Sequence, residues 1–278
     1  MNGKGTASEA GDKSSSAVAG TRLCYHENGT SSRKVNLMNV YWLEQSEADV
    51  PVENDWLSEN EAACLSGLRF AKRRADWRLG RWTAKQALSV CLNVTAQPQI
   101  FRKMDIRPAP SGAPEAFFAA QPAAVSISLS HRDGVAACAV TNFGVQIGCD
   151  LEMVEPRSDA FVADYFTVDE QALVARASAP DRPRVLALLW SAKESALKAL
   201  QEGLRLDTRC VTVSPFASSF DLNGWSALQV RYTGGQLFHG WWQNTDRIVR
   251  TVVAAQPLDP PTPLSIPAHF FDSASWCA

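Results

Sequence analysis

Two short segments of this chain carry side chains suited to chemistry, Ile147-Gly-Cys-Asp-Leu-Glu152 and Trp190-Ser-Ala-Lys-Glu-Ser-Ala-Leu-Lys198. The first reads as a strand, in which residues two apart share a face. Asp150 and Glu152 then stand side by side, with Cys149 and Leu151 on the other face. Paired carboxylates repel unless water, a base or a metal offsets them. Mg²⁺ takes oxygen ligands and is held by one or two carboxylates plus substrate phosphates. The second segment reads as a helix, on which Glu194 and Lys198 are four apart and share a face. Each segment also has an ordinary structural reading, a solvated strand end and a helix-stabilising ion pair. Together they supply three acidic oxygen donors and a lysine placed to meet phosphate, a set suited to phosphoryl chemistry.

The elements that must position these groups are legible in outline. A helix is expected over Arg184–Leu200, with Trp190, Leu186, Leu189, Leu197 and Leu200 as its apolar set, Pro183 in its first turn and Gly203 as a stop. Thr167-Val-Asp-Glu170 is a capping box that opens an earlier helix. In the first half, 55–65 and 70–92 read as helices after a short strand at 40–43. Extended segments follow near 100–102 and 116–118. Ser126–Ser130 alternates, Asp133-Gly134 is a turn signal, and 135–140 returns as its hairpin partner. Strands near 145–152, 210–213, 228–232, 237–242 and 248–254 complete the second half. On the long first-half helix, Arg74, Arg78, Arg81 and Lys85 form one stripe between apolar flanks. That stripe is either a solvated face or a phosphate site, because arginine meets phosphate oxygens in bidentate geometry.

The chain resembles the 4′-phosphopantetheinyl transferases of the surfactin-type, single-chain class. The resemblance rests on Gly148-Cys-Asp150-Leu-Glu152, on Trp190-Ser191-Ala-Lys193-Glu194-Ser195-Ala-Leu-Lys198 some forty residues later, and on Ser-Leu-Ser130-His131 upstream. It extends from about Asn39 to Ala255. It implies an α+β fold of two similar α/β subdomains in pseudo-twofold arrangement, each a small, mainly antiparallel sheet packed with helices, with coenzyme A between them. It implies transfer of the phosphopantetheine arm from coenzyme A to a serine of an apo acyl or peptidyl carrier protein, releasing 3′,5′-ADP. By the same resemblance, Asp150, Glu152 and Glu194 hold Mg²⁺ against the pyrophosphate. Glu194 is the candidate base and Lys198 meets the α-phosphate or leaving group. Lys193 is a further phosphate contact, and Ser130 and His131 lie near the 3′-phosphate with Arg74, Arg81 and Lys85. One departure stands out: Gly112-Ala113-Pro114 lacks the cation the family often carries between that glycine and proline.

Composition agrees with an enzyme of this kind. The chain has 278 residues, 46% of them apolar, and 27 Lys+Arg against 29 Asp+Glu leave a net charge of −2. Nothing in that balance recommends the bulk surface as a nucleic-acid binder. Seven cysteines, none in a C-x-x-C pair, and four histidines with no pair at ligand spacing argue against zinc and against a disulfide framework. A reduced cytoplasmic protein, monomeric and with no membrane span, is the expectation. Residues 1–36 read as a disordered leader without a signal peptide. Subdomains are expected at 37–143 and 144–255, and 256–278 as a proline-rich tail anchored by Phe270, Phe271 and Trp276. Two rival functions share the same residues: another Mg²⁺-dependent phosphate enzyme such as a nuclease, and a non-catalytic relative that only binds carrier proteins. The natural carrier, whether of fatty acid, polyketide or nonribosomal peptide synthesis, is not written in the sequence.

Overall fold

The structure is a computed structural model, and it describes residues 37–215, 224–245 and 247–266. The expected leader and the anchors Phe270, Phe271 and Trp276 lie outside the described residues. In the first half, β1 (Tyr41–Ser46) leads to helices α1 (Glu59–Gly67), α2 (Ala71–Cys91) and the single turn α3 (Pro98–Phe101). Strands β2 (Met104–Pro108), β3 (Pro114–Phe118), β4 (Gln121–Pro122), β5 (Val125–Arg132) and β6 (Val135–Asn142) follow. The second half runs β7 (Ile147–Met153), α4 (Asp159–Tyr165), α5 (Val168–Arg176), α6 (Arg182–Ala199), β8 (Val211–Pro215), β9 (Ser226–Tyr232), β10 (Leu237–Asn244) and β11 (Ile248–Ala254). A last short strand, β12 (Thr262–Pro263), pairs in parallel with β1.

The sheets are ordered β12-β1-β6-β5, β2-β3-β4 and β7-β11-β10-β9-β8. Because β3 lies against β5, the first half runs β1-β6-β5, breaks, and continues as β3-β2. The second half runs β7-β11-β10-β9-β8 without a break. Apart from the two-residue β4, each half is thus a strand, helices and four further strands in the same spatial order, an α+β fold of small sheets, largely antiparallel, packed with helices. One sequence expectation fails locally. The segment near 100–102 is helical, because Pro98 sits in the first turn of α3, where its missing N–H costs nothing. The hairpin expected at Asp133-Gly134 is present, with both residues at positive φ (50° and 75°), the conformation a two-residue turn of this twist requires.

One device recurs in both halves. Ser58 caps α1 and Glu61 closes the capping box; Thr167 and Glu170 do the same for α5. The second carboxylate oxygen of each glutamate accepts the backbone N–H of a strand: Ile106 to Glu61 at 3.1 Å and Val213 to Glu170 at 2.8 Å. A fully buried lysine then pairs with each glutamate, Lys85 with Glu61 and Lys193 with Glu170. The lysines stand 24 and 23 positions after their partners. The repeat is one of geometry, carried by so few residues that no sequence repeat is visible.

Three features among the described residues stand out where the halves join. Met38, Val40, Trp42, Ala137 and Ala139 share an apolar core with Ile147, Cys149, Leu151, Val252 and Ala254. Glu44 and Arg250 form a bidentate pair, both contacts at 2.6 Å, across 206 positions of chain. The third join is a seam between β5 and β7, the edges of their respective sheets. Here serine side chains stand in for ladder carbonyls: Cys149 N–H donates to Ser128 Oγ at 2.9 Å and Leu151 N–H to Ser130 Oγ at 3.2 Å. An edge strand needs its backbone groups satisfied, and here the Ser-x-Ser of β5 does so.

Candidate active site

The site forms where β7 and α6 lie back to back. Helix α6 approaches so closely at Gly148 that a β-carbon there would stand 1.8 Å from the Ser195 carbonyl oxygen. The serines of the helix face the sheet: Ser191 and Ser195 both share hydrogen bonds with the Thr251 hydroxyl, at 2.8 and 2.7 Å. Thr251 is the register partner of Asp150 on β11. These small contacts set the distance between strand and helix, and so between Asp150 and the residues of α6.

Asp150 is buried, and its Oδ1 accepts from Lys198 Nζ at 2.8 Å and from Ser130 Oγ at 2.8 Å. Its Oδ2 has no hydrogen-bond partner among the described residues. Lys198 also donates to the Cys149 carbonyl at 3.0 Å. Burial lowers its proton affinity, but Asp150, Cys149 and Glu194 outweigh that, and the net shift is upward. Lys198 is a fixed cation at neutral pH. Glu194 is pushed up to about 7, by desolvation first, then by Asp150 and Glu152, with Lys198 opposing. A carboxyl near 7 is divided between proton donor and acceptor at neutral pH, which is where general acid–base catalysis is most effective.

Glu152 is held differently. Arg157 Nη2 lies 3.2 Å from its carboxylate, Arg132 stands at 4.0 Å, and the Trp190 indole N–H donates to it. Desolvation and Asp150 raise its pKa, while the arginines and Trp190 oppose them. Trp190 packs its ring against Phe161 and Tyr165, at 5.1 and 5.2 Å between centroids. The tryptophan of the motif therefore anchors α6 on α4 and orients Glu152. Arg157 and the indole contact were invisible in the sequence, where nothing in the spacing of Arg157 ties it to the acids. Among the described residues, no three His, Cys, Asp or Glu side chains are gathered into a metal-ligating cluster. Asp150, Glu152 and Glu194 are electrostatic neighbours, with Lys198 and Arg157 among them.

The cationic residues expected at phosphate divide sharply. Lys85 has all three ammonium hydrogens committed, to Glu61 and to the Trp56 and Phe101 carbonyls at 3.1 and 2.8 Å. Lys193 is committed in the same way, to Glu170 and to the Thr208 and Val211 carbonyls at 2.9 and 2.6 Å. Both are fully buried, so the expectation that they contact coenzyme A phosphates is corrected. They are core ties, one in each half. Arg78 donates to the carbonyls of Pro51, Val52 and Glu53 and holds a loop. Arg74 is exposed on the first turns of α2. The stripe is therefore no single phosphate face. Arg81 alone of the four reaches a cleft, stacked on Trp77 at 4.8 Å and 3.8 Å from Glu61. His131 is exposed at the end of β5, and the charges that bear on it are Asp76, Lys198, Lys72 and Asp150, which ties it to the Asp150–Lys198 pair.

The cleft has a volume of about 820 Å³, within the range of small-molecule sites. It opens where the first-half sheet breaks between β5 and β3, and Lys198 and Arg81 both line it. Ser111 and Gly112 form one rim, and Gln201 and Arg205 the other. The rims touch through Ser111 Oγ to Gln201 Oε1 at 3.4 Å and Arg205 Nη2 to the Ser111 carbonyl at 3.0 Å.

The site segments match a known family. Residues 146–255 fit the 4′-phosphopantetheinyl transferase superfamily. That stretch holds β7 and α6, and with them Gly148, Asp150, Glu152, Glu194 and Lys198. A similar curated protein is the 4′-phosphopantetheinyl transferase HetI of Nostoc sp. (strain PCC 7120), 34% identical over 79 residues, or 28% of this chain. The match spans about a third (33%) of that relative's length. Among solved structures, a holo-(acyl-carrier-protein) synthase from Bacillus anthracis in complex with CoA (3′,5′-ADP) is 20% identical, with a TM-score of 0.32. It covers 38% of this chain and 96% of that one.

Proposed function

We propose that the chain transfers the 4′-phosphopantetheine group of coenzyme A to a serine hydroxyl of an apo carrier protein, with Mg²⁺, releasing 3′,5′-ADP. The observation that carries this reading is the group of Asp150, Lys198 and Glu194 beside the cleft, lying within the segment that matches the superfamily. A fixed ammonium, a carboxylate and a carboxyl near neutrality are what phosphoryl transfer asks of a protein: charge stabilisation and a proton acceptor. Glu194 accepts the proton of the attacking serine hydroxyl, directly or through a water. Lys198 stabilises the charge that develops on the phosphoryl oxygens as the phosphoanhydride bond to 3′,5′-ADP breaks and the phosphoester to serine forms.

The donor set fits a divalent cation. Among the described residues, Asp150 Oδ2 is buried without a hydrogen-bond partner, and the influences on Glu194 are burial and the charges of Asp150, Lys198 and Glu152. Asp150 and Glu194, with Glu152 once it leaves Arg157, are the residues that would hold Mg²⁺. When bound, the metal supplies neutralisation of the pyrophosphate. Ser130 orients Asp150 by donating to its Oδ1.

The test is mass spectrometry of apo carrier proteins incubated with the purified chain, coenzyme A and Mg²⁺. The expected result is a gain of one phosphopantetheine on at least one carrier, and none on a carrier whose acceptor serine is alanine. A panel spanning fatty acid, polyketide and nonribosomal peptide carriers identifies the partner. Mg²⁺-dependent cleavage of DNA without carrier modification would favour a nuclease instead.

A further inference from the structure

We propose that Arg157 is an exchangeable counter-ion: it neutralises Glu152 in the metal-free protein and passes to Glu155 when Glu152 turns to a divalent cation. This rests on the reading of Asp150, Glu152 and Glu194 as the residues that hold the cation. The two acids of β7 are neutralised from different elements. Asp150 is paired with Lys198 of α6 through Oδ1, and its buried Oδ2 has no hydrogen-bond partner among the described residues. Asp150 therefore has an oxygen to give without losing its own cation. Glu152 is placed otherwise. Arg157 Nη2 donates to its Oε2 at 3.2 Å, and the Trp190 indole donates to it as well. Only 10% of the Glu152 side chain is exposed. Were Arg157 to leave with nothing in its place, Glu152 would be an unpaired, nearly buried charge beside Asp150, which is strongly destabilising. Were it to stay, its guanidinium would repel a divalent ion on the same carboxylate.

The structure supplies the place for the arginine to go. The same Nη2 atom that bonds Glu152 lies 3.0 Å from Glu155 Oε1. Releasing Glu152 thus means giving up one of two carboxylates already in contact, with no excursion into solvent. Glu155 is 43% exposed and is held by Arg132 Nη2 at 2.8 Å, so it stays where Arg157 can use it. The other end of the arginine is steadied too. Its guanidinium lies over the Phe161 ring at 5.2 Å, and Phe161 packs against Trp190 at 5.1 Å. Arg157 also directly precedes Ser158, whose side chain caps α4. Two arginines and two glutamates therefore form a neutral set in which one ion pair can be traded for another. The trade sets how much divalent cation is needed before Glu152 joins Asp150 and Glu194.

The experiment titrates Mn²⁺, a spectroscopic substitute for Mg²⁺, into the purified chain without coenzyme A or carrier, and reads free Mn²⁺ by electron paramagnetic resonance. Wild type is compared with Arg157→Gln, Glu155→Gln and Arg132→Gln. Arg157→Gln should bind at least about 10-fold more tightly, the scale on which groups bonded to metal ligands tune affinity. Glu155→Gln should bind more weakly than wild type, because Arg157 is then left with Glu152 alone. Arg132→Gln removes the same charge, but Arg132 Nε stands 4.0 Å from Glu152, and its effect should stay below about 3-fold. Melts give a second readout. In chelator Arg157→Gln should melt below the wild type, and saturating Mn²⁺ should raise its melting temperature by more than it raises the wild type's. Weaker binding by Arg157→Gln would make the arginine a support of the metal site and overturns the proposal. Equal tightening in Arg157→Gln and Arg132→Gln would reduce the effect to net charge and overturns it too. So do an unchanged affinity in Glu155→Gln and an absence of Mn²⁺ binding by both wild type and Arg157→Gln. A wild type that binds Mn²⁺ but modifies no carrier defeats the transferase reading alone, since the titration uses neither coenzyme A nor carrier.

Discussion

Gly148 and Ser195 touch through their backbones: a β-carbon on Gly148 would stand 1.8 Å from the Ser195 carbonyl oxygen and 2.8 Å from the Ala199 nitrogen. The glycine of β7 is thus what lets α6 lie directly on the strand. Asp150 is two residues along from that contact, and Glu194 and Lys198 flank it on the helix. Their 2.8 Å pairing with Asp150, in the case of Lys198, depends on the space Gly148 leaves. The obstacle is backbone, which gives way only if the whole helix shifts.

Gly148→Ala should accordingly damage stability and activity together. Overpacking of this kind costs about 1–3 kcal/mol, and lifting α6 separates Lys198 from Asp150. A lower melting temperature with carrier modification reduced by more than about 10-fold is the expected outcome, since small misplacements of catalytic groups cost orders of magnitude in rate. Circular dichroism melts beside the transfer assay check it. An alanine variant with normal activity would show that the helix contact does not set the geometry.

Removing the buried charge at Glu194 should stabilise the metal-free protein at alkaline pH. Its pKa rises from 4.5 to about 7 on folding, so the folded state binds a proton that the unfolded state has released. The group's contribution to stability is whole below the unfolded value and is lost as pH rises through the folded one. Above pH 7, Glu194→Gln should be more stable than the wild type, by about 1–3 kcal/mol. At pH 4 the two should be equal. Melting temperatures in chelator at the two pH values decide the matter, and a destabilised variant at pH 8 would contradict the assigned shift.

Lys198→Met removes the cation from Asp150 and leaves a buried carboxylate with one hydroxyl donor. Transfer should fall by about 10²–10³, the loss typical of deleting one preorganised charge-stabilising donor. The effect should lie mainly in kcat, because Lys198 acts on charge that develops in the transition state. Steady-state kinetics on coenzyme A provide the measurement, and a change confined to KM would place Lys198 in ground-state binding alone.

The two buried lysines should behave as ties rather than as ligands. Lys193→Met leaves Glu170 buried and unpaired, at a cost of about 3–5 kcal/mol, whereas pairing it with Glu170→Met recovers much of that loss. The same cycle at Lys85 and Glu61 should give a coupling of the same sign, since the geometry is repeated. Urea unfolding of the four variants in each cycle tests this. A Lys193→Met variant of native stability but weakened coenzyme A binding would restore the phosphate role.

What could be read from the sequence followed from local rules. The alternation around Asp150 and Glu152, the capping box at Thr167, and the turn at Asp133-Gly134 depend on neighbours within a few positions. So did the shared face of Glu194 and Lys198. What stayed hidden was tertiary. Helical spacing put Arg74, Arg78, Arg81 and Lys85 in one stripe, but the partners that separate them, Glu61 and the carbonyls of 51–53, come from other elements. Lys193 stands next to Glu194 in the motif yet points into the core, because adjacent helix positions face about 100° apart. The internal repeat escaped notice because a glutamate, a lysine and a cap define it.

The role of Glu194 in transfer is tested by comparing wild type and Glu194→Gln in one assay: the rate at which holo carrier protein forms from coenzyme A and apo carrier with Mg²⁺. Steady conversion by the wild type is expected, with a rate lower by at least about 100-fold for the variant and unchanged circular dichroism. A wild type that modifies no carrier in a broad panel, or a variant as fast as the wild type, would contradict it.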